Sequence, residues 1–181
     1  MIYVVRHGQT DWNLQGRCQG WSDIELNQTG IAQAEELAKQ LSNVKFDVCF
    51  ASPLKRTLKT AQIIYHGEII TDSRLLERGK GELEGRTGLK QMVRQLGINY
   101  YDPDENSYGI EKLADFENRV HAFWDEVLVK YSGKNVLVVT HGGTVMCSRE
   151  YFDGVPEDQD YSRYRLENCG VWQIDNRGPL Q

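Results

Sequence analysis

The chain has 181 residues, 40% of them apolar and 26% charged, with a formal net charge of −5. That length suits one domain with a core of sheet and helices, and the acidic balance excludes a general attraction to nucleic acid or anionic membrane. An anionic ligand would therefore need a local cluster of positive side chains.

The apolar, β-branched run Ile2–Val5 reads as a buried strand. It stops at Arg6-His7, too short for a secretory leader, and nothing in the chain approaches the length of a membrane span. Asn27 is placed to cap a helix from Gln28 to about Leu41, with Ile31, Ala34, Ala38 and Leu41 on one face. Phe46–Ala51 reads as a second strand. Ser52-Pro53 then has the form of an N-cap with proline at the first helical position, opening a helix that turns Leu54, Leu58, Ala61 and Tyr65 inward. Glu68–Thr71 is expected to be a short third strand. Arg74–Gly109 is rich in glycine and charge, with one helix around Leu89–Leu96. Glu111–Tyr131 has the pattern of a long amphipathic helix with Phe116, Val120, Phe123, Val127 and Leu128 inside. Val136–Thr140 is a strongly apolar strand, Gly143–Phe152 a helix, and Gly170–Asp175 an alternating edge strand. Strands alternating with helices predict a three-layer α/β/α sandwich on a mainly parallel sheet. Residues 1–181 read as one domain, with 74–109 a substrate-specificity insertion.

Cys18, Cys49, Cys147 and Cys169 form no CxxC or CxxH pair, so they are expected to be reduced, mostly buried thiols of a cytoplasmic protein. Trp12, Trp21, Trp124 and Trp172 read as core or rim aromatics, and His66 and His121 have no motif context.

Two strands end alike: Ile2–Val5 runs into Arg6-His7-Gly8, and Val136–Thr140 into His141-Gly142-Gly143. Strands of a parallel sheet finish on one side, where ligands bind, so the two histidines are expected to meet there. Glycine after each lets the backbone approach a ligand closely. In a helix capped by Ser52, Lys55 and Arg56 fall in the first turn, where cations are unfavourable by roughly 0.3–1 kcal/mol each. A bound anion reverses that sign for Arg56, while Lys55 is expected to reach into solvent. Arg6, His7, Arg56 and His141 would then form the positive pocket that the acidic chain requires.

Arg6-His7-Gly8-Gln9-Thr10 with Trp12-Asn13 resembles the signature of the histidine phosphatase superfamily, which includes the cofactor-dependent phosphoglycerate mutases. Gly20-Trp21-Ser22-Asp23, Leu26…Gly30…Gln33-Ala34, Ser52-Pro53-Leu54-Lys55-Arg56, Leu76-Glu77 with Gly81 and Glu84-Gly85, and His141-Gly142-Gly143 follow in the family's order, so the likeness covers nearly the whole chain. The resemblance implies a phosphoglycerate mutase-like fold and a role for each matching position. His7 would be the phosphorylated nucleophile, Glu77 the proton donor and His141 a third catalytic residue. Arg6, Asn13, Arg56, Gln19, Gly20 and Gly142 would bind the phosphoryl group. It implies no cofactor and no metal, and a small phosphorylated metabolite as the partner.

The residue types suit these roles. Neutral imidazole is a good nucleophile near pH 7. Its other ring nitrogen is expected to donate to a backbone carbonyl near Gly8. Glu77 must carry a proton to release the leaving oxygen, and a neighbouring phosphate dianion favours that.

Several positions depart from the family pattern. Lys80 stands where an aromatic residue is common, and Leu83 where tryptophan is frequent. Gln19 replaces a threonine of the mutase branch, and Gly109-Ile110-Glu111 matches a Gly-Glu-Ser segment only loosely. The arginine pair that recognises phosphoglycerate is not evident in Arg86–Gly97, and the mutases' long shielding tail is not expected after the last strand. These features favour a phosphatase over a mutase. Two other readings carry less weight. One is a two-histidine, one-carboxylate metal site of His7, His141 and Glu77, disfavoured by the neighbouring arginines. The other is a binding module without catalysis, disfavoured because the reactive residue types are all present.

Overall fold

The computed structural model describes residues 1–158 and 160–176. Five strands form one sheet: β1 (Ile2–Arg6), β2 (Val48–Ala51), β3 (Ile69–Thr71), β4 (Val136–Thr140) and β5 (Val171–Ile174). Their spatial order is β3-β2-β4-β1-β5. The first four run parallel and β5 lies antiparallel against β1. The expected α/β/α class is therefore present, with Gly170–Asp175 supplying the edge strand. The tail beyond residue 176 lies outside the described residues.

Side chains alternate across the sheet with period two. Ile2, Val4, Val48, Phe50, Val136 and Val138 face one apolar cluster, packed with Phe116, Val120, Phe123 and Trp124 of α5 (Leu113–Lys130) and with Val145 of α6 (Gly142–Asp153). Val5, Cys49, Ala51, Leu137 and Val139 face the other, packed with Leu37 of α2 (Gln28–Gln40) and Ala61 of α3 (Lys55–Ile64). Helices thus cover both faces, and the buried strands read as continuous apolar runs for that reason. Within the 74–109 segment, α4 (Leu89–Gln95) buries no residue of its own. Its neighbours Leu83, Ile98 and Ile110 make a separate small cluster.

After the short α1 (Asp11–Leu14), Asn27 caps α2 as expected, accepting from the Gly30 amide at 2.9 Å. The buried stripe of α2 runs through Gly30, Ala34 and Leu37, while Ile31 and Ala38 are half-buried. The strands expected from Phe46 and Glu68 start two residues and one residue later, and the long helix starts at Leu113.

The start of α3 corrects the sequence reading. Ser52 does not cap it. The helix begins at Lys55, Leu54 holds the cap position without a side-chain bond, and Leu54 and Tyr65 flank the helix rather than line its inner face. The Asp23 carboxylate, brought in from a distant loop, accepts from the Lys55 amide at 2.7 Å and does the capping. Ser52 is freed for another partner. Lys55 does reach outward, to Glu25 at 3.1 Å on the surface. The buried face of α3 is polar, comprising Arg56, Thr57 and Thr60 before Ala61.

All four cysteines are free, with Cys49 and Cys147 buried and Cys18 and Cys169 half-buried. Trp124 is in the core, its indole N–H on Ser148 Oγ at 2.9 Å, whereas Trp21 is half-exposed at the rim. Among the described residues no helix is long and apolar enough to cross a membrane.

Candidate active site

The carboxyl ends of β1 and β4 bring the two histidines together, with ring centroids 5.3 Å apart and edge to face. The His7 amide donates to Thr140 O at 2.9 Å, extending the β1–β4 ladder beyond the strands. The His7 carbonyl accepts from Asn168 Nδ2 at 2.9 Å and the Cys169 amide at 3.3 Å. The backbone that carries the ring is therefore fixed from both sides.

Gly8 has a different reason from the one expected. A Cβ there would lie 2.5 Å from Gly30 O, and a Cβ on Gly30 would lie 2.1 Å from Gln9 O. The glycines allow α2 to pack closely on the loop that follows His7.

His7 Nδ1 lies 2.7 Å from Gly8 O. A carbonyl only accepts, so Nδ1 carries the proton and Nε2 keeps its lone pair. Burial first, then the adjacent Arg56 guanidinium, hold the ring well below the usual histidine pKa. The expected neutral tautomer with a backbone carbonyl partner is what the fold provides.

His141 is the opposite tautomer. Arg56 Nε donates to its Nδ1 at 3.2 Å, so the proton sits on Nε2, 2.7 Å from Ser52 Oγ. This is the partner that Ser52 takes in place of the helix end. Burial, with Arg56 next, pushes this ring well below the usual value too.

Arg56 is 1% exposed. Besides His141 it donates to Ser22 O at 2.7 Å and Gly20 O at 2.8 Å, which fixes the plane of the fork. Gly20 adopts φ +50, and a Cβ would lie 2.1 Å from Glu84 Oε1, so glycine presents that carbonyl to Arg56. Arg6 donates from Nη1 to Leu166 O at 2.7 Å, but its buried Nε has no partner among the described residues. A buried guanidinium N–H left open calls for an acceptor. Asn13 closes a capping box with Thr10, its Oδ1 taking the Thr10 amide at 3.1 Å, so its Nδ2 is left free to donate. Gln19 Oε1 accepts from Thr10 Oγ1 at 3.1 Å, which frees its Nε2 likewise.

Glu77 comes from the other side of the cavity. Its Oε2 accepts from the Gly143 amide at 2.9 Å, at the start of α6, and its Oε1 from the Arg78 amide at 2.8 Å. A Cβ on Gly143 would sit 2.1 Å from Oε1, so that glycine makes room for the carboxylate. The loop bearing Glu77 is held by Arg119, which donates to the carbonyls of Arg74, Leu76 and Glu77 and pairs with Glu111 at 2.7 Å. Glu111 also accepts from the Gly79 amide at 2.9 Å. The loose Gly109-Ile110-Glu111 match thus contains a working support residue.

Eight of the nine expected site residues line one cavity of about 220 Å³, all but His141, which lies behind His7. Arg17, Lys80 and Gly143 complete the lining and escaped the sequence reading as site residues. Arg17 had a signal available, four residues beyond Asn13 and two before Gln19. Lys80 is buried at 8% exposure. Burial opposes its charge, but Tyr100 and Glu77 outweigh that and raise its pKa, so it is an ammonium. Among the described residues, no group of three or more His, Cys, Asp or Glu side chains is placed to hold a metal ion. The arrangement offers one unprotonated imidazole nitrogen, several convergent N–H donors and a carboxylate across the cavity.

The histidine phosphatase superfamily (branch 1) matches residues 2–178. A protein of Bacillus subtilis (strain 168) named Uncharacterized phosphatase PhoE is 36% identical over 177 residues, 96% of this chain and 87% of its own. One of Yersinia pestis (strain Pestoides F), named Probable phosphoglycerate mutase GpmB, is 34% identical over 182 residues, covering 96% and 84%. A phosphoserine phosphatase from Entamoeba histolytica, solved with 3-phosphoglyceric acid, superposes with a TM-score of 0.75 at 30% identity over 94% of this chain and 87% of that one. The chain belongs to the histidine phosphatase superfamily, branch 1.

Proposed function

We propose that the protein hydrolyses phosphomonoesters of small molecules through a phosphohistidine on His7, with no cofactor and no metal. The observation that carries this reading is the 2.7 Å contact of His7 Nδ1 with Gly8 O, which leaves Nε2 as the free nucleophilic nitrogen beside Arg6 and Arg56. Nε2 attacks phosphorus, the P–O ester bond breaks, and Glu77 gives its proton to the leaving oxygen. Water then attacks the phosphohistidine, Glu77 takes back a proton, and inorganic phosphate leaves. Arg6 and Arg56, with Asn13 and Gln19, stabilise the phosphoryl oxygens in both steps, which is most of what this transfer requires. His141 orients Arg56 and packs on His7. Gly20 and Gly142 contribute by shape, one presenting its carbonyl to Arg56 and the other lining the cavity.

The phosphatase names of relatives at 36% and 30% identity support this reading. The free cysteines suit a reducing, cytoplasmic setting, and neither nucleic acid nor membrane is a partner. The 34% identical relative named as a mutase favours a second reading, transfer of the phosphoryl group back to the same substrate.

Brief mixing with p-nitrophenyl phosphate, an alkaline denaturing quench and peptide mapping should find phosphate on His7. Steady incubation with 3-phosphoglycerate should yield inorganic phosphate, whereas accumulation of 2-phosphoglycerate would move the assignment to mutase. Phosphate on no histidine, with turnover intact, would refute the covalent route. Excess chelator should leave the rate unchanged.

A further inference from the structure

Two cations in this cavity are more than a phosphoryl group needs. Arg6 and Arg56 together balance a phosphomonoester dianion. Lys80 and Arg17 remain. Lys80 is nearly buried, yet no carboxylate lies within 4 Å of its ammonium among the described residues, and its one hydrogen bond goes to the Tyr100 hydroxyl. The acidic side chains nearby are engaged elsewhere. Glu77 takes the Gly143 and Arg78 amides. Glu84 takes the amides of Trp21, Ser22 and Lys80 and the Ser22 hydroxyl. Tyr100 is held in place by Arg78, which donates to its carbonyl at 2.7 Å and stacks 4.3 Å over its ring. The guanidinium of Arg17 makes no hydrogen bond or ion pair among the described residues, only a 5.9 Å approach to the Trp12 ring. Neither cation is directly paired with a carboxylate in the cavity, so both are open to an anionic group brought in by a ligand.

Their position gives the direction. In-line attack by His7 sends the leaving oxygen away from the imidazole, toward Glu77, and Lys80 follows Glu77 by three residues on the same wall. Arg17 is shared with an adjoining cavity of about 590 Å³, lined further by Arg86, Thr87, Gln91, Met92 and Gln95. A leaving group that passes Lys80 and Arg17 has room there.

We propose that the substrate's leaving group itself carries an anionic group, a carboxylate or a second phosphate, bound by Lys80 and Arg17. This rests on the phosphatase reading above. It makes Lys80, where an aromatic residue is common in the family, the specificity residue of this chain.

The test compares matched pairs. 3-Phosphoglycerate against glycerol 3-phosphate exchanges a carboxylate for a hydroxymethyl group, and fructose 1,6-bisphosphate against fructose 6-phosphate adds a phosphate. The anionic member of at least one pair should have the higher kcat/KM by about tenfold or more, and the pair that discriminates identifies the group. Lys80→Met and Arg17→Met should each bring that ratio toward one. The ratio does not depend on the fraction of folded enzyme, so a purely structural defect leaves it unmoved. Turnover without discrimination in either pair, or discrimination that survives both substitutions, would overturn the inference while leaving the phosphatase reading intact. No phosphate release from any of these compounds or from p-nitrophenyl phosphate would overturn both.

Discussion

The carboxyl edge of the sheet and the 74–109 segment face each other across the cavity, and different physics builds them. At the sheet edge, position follows from strands buried on both faces. Residues Val136–Thr140 and Ile2, Val4 and Val5 are fully enclosed, so the residues that follow them, His7 and His141, inherit a rigid frame. His7 Nδ1 and both ring nitrogens of His141 are then fixed by short bonds to backbone or to another buried group. The 74–109 segment has one short α-helix, isolated 3-10 turns, one small apolar cluster and support from outside, chiefly Arg119 on α5. A rigid wall suits the phosphoryl group, which is the same in every substrate. A wall made of loops suits the part that varies.

Substitutions should separate the two walls. The largest effect belongs to His7→Ala, which removes the lone pair on which both steps of the proposed mechanism depend. Turnover should fall to background for every phosphomonoester, with no phosphorylated protein in quenched samples. Activity retained by this variant would end the covalent mechanism. Arg56→Ala comes next. In the proposed mechanism its contact to the phosphoryl oxygens strengthens as charge develops, and loss of one such donor costs about a thousandfold in kcat/KM. Because it acts on the phosphoryl side, p-nitrophenyl and alkyl phosphates should suffer alike. Arg56→Lys should recover little, since one ammonium cannot hold Gly20 O, Ser22 O and His141 Nδ1 at once. Full activity of that variant would remove the forked clamp from the argument.

Glu77→Gln should act on the opposite wall and depend on the leaving group. Alkyl phosphates need a proton on the departing oxygen and should slow about a hundredfold in phosphoenzyme formation. p-Nitrophenolate leaves with little help, so its first step should be less impaired. In the proposed mechanism the same carboxylate then activates water, so phosphoenzyme should accumulate and rapid mixing should show a burst of nitrophenol before a slow steady state. Gly143→Ala should reproduce part of this pattern, because its Cβ would displace the carboxylate. Equal single-turnover defects on both substrate types would take the acid role from Glu77.

The two walls also differed in how well the sequence could be read. At the sheet edge, apolar runs located β1, β2 and β4, and the repeated strand–His–Gly pattern located both histidines. The His7 carbonyl partner followed from the chemistry of a neutral nucleophile. Local signals failed where a distant group decided the outcome. Ser52-Pro53 looks like a helix start, but Asp23 supplies the cap and Ser52 serves His141. Gly8 looks like a ligand approach, but Gly30 packs on it. On the other wall, Glu77 depended on resemblance because nothing near it in sequence shows that Gly143 and Arg119 will hold it. Lys80 read as a departure from a pattern, and only its burial against Tyr100 shows what kind of departure it is.

The smallest effect expected is on stability, and it sharpens the same comparison. His7 and His141 are neutral in the folded protein because burial, then Arg56, depresses both pKa values well below the ordinary one. In the unfolded chain each returns to roughly 6.5. Below that pH the unfolded chain binds protons that the folded chain refuses, so unfolding is favoured as acid is added. Their contribution is complete above about pH 6.5 and is lost as the pH falls toward the folded-state values. The slope approaches about 1.4 kcal/mol per pH unit for each histidine. Urea midpoints without phosphate should therefore drop between pH 7.5 and 5.5, and His7→Gln or His141→Asn should each flatten that drop. The 74–109 segment contains no histidine. Over the same range, amides of α4 should exchange with only the intrinsic pH dependence if they open locally, while those of β1 and β4, which open by global unfolding, should lose protection. A wild-type midpoint that does not move, or equal loss of protection in α4 and β4, would mean that the sheet edge does not hold its histidines neutral or that the two walls unfold as one.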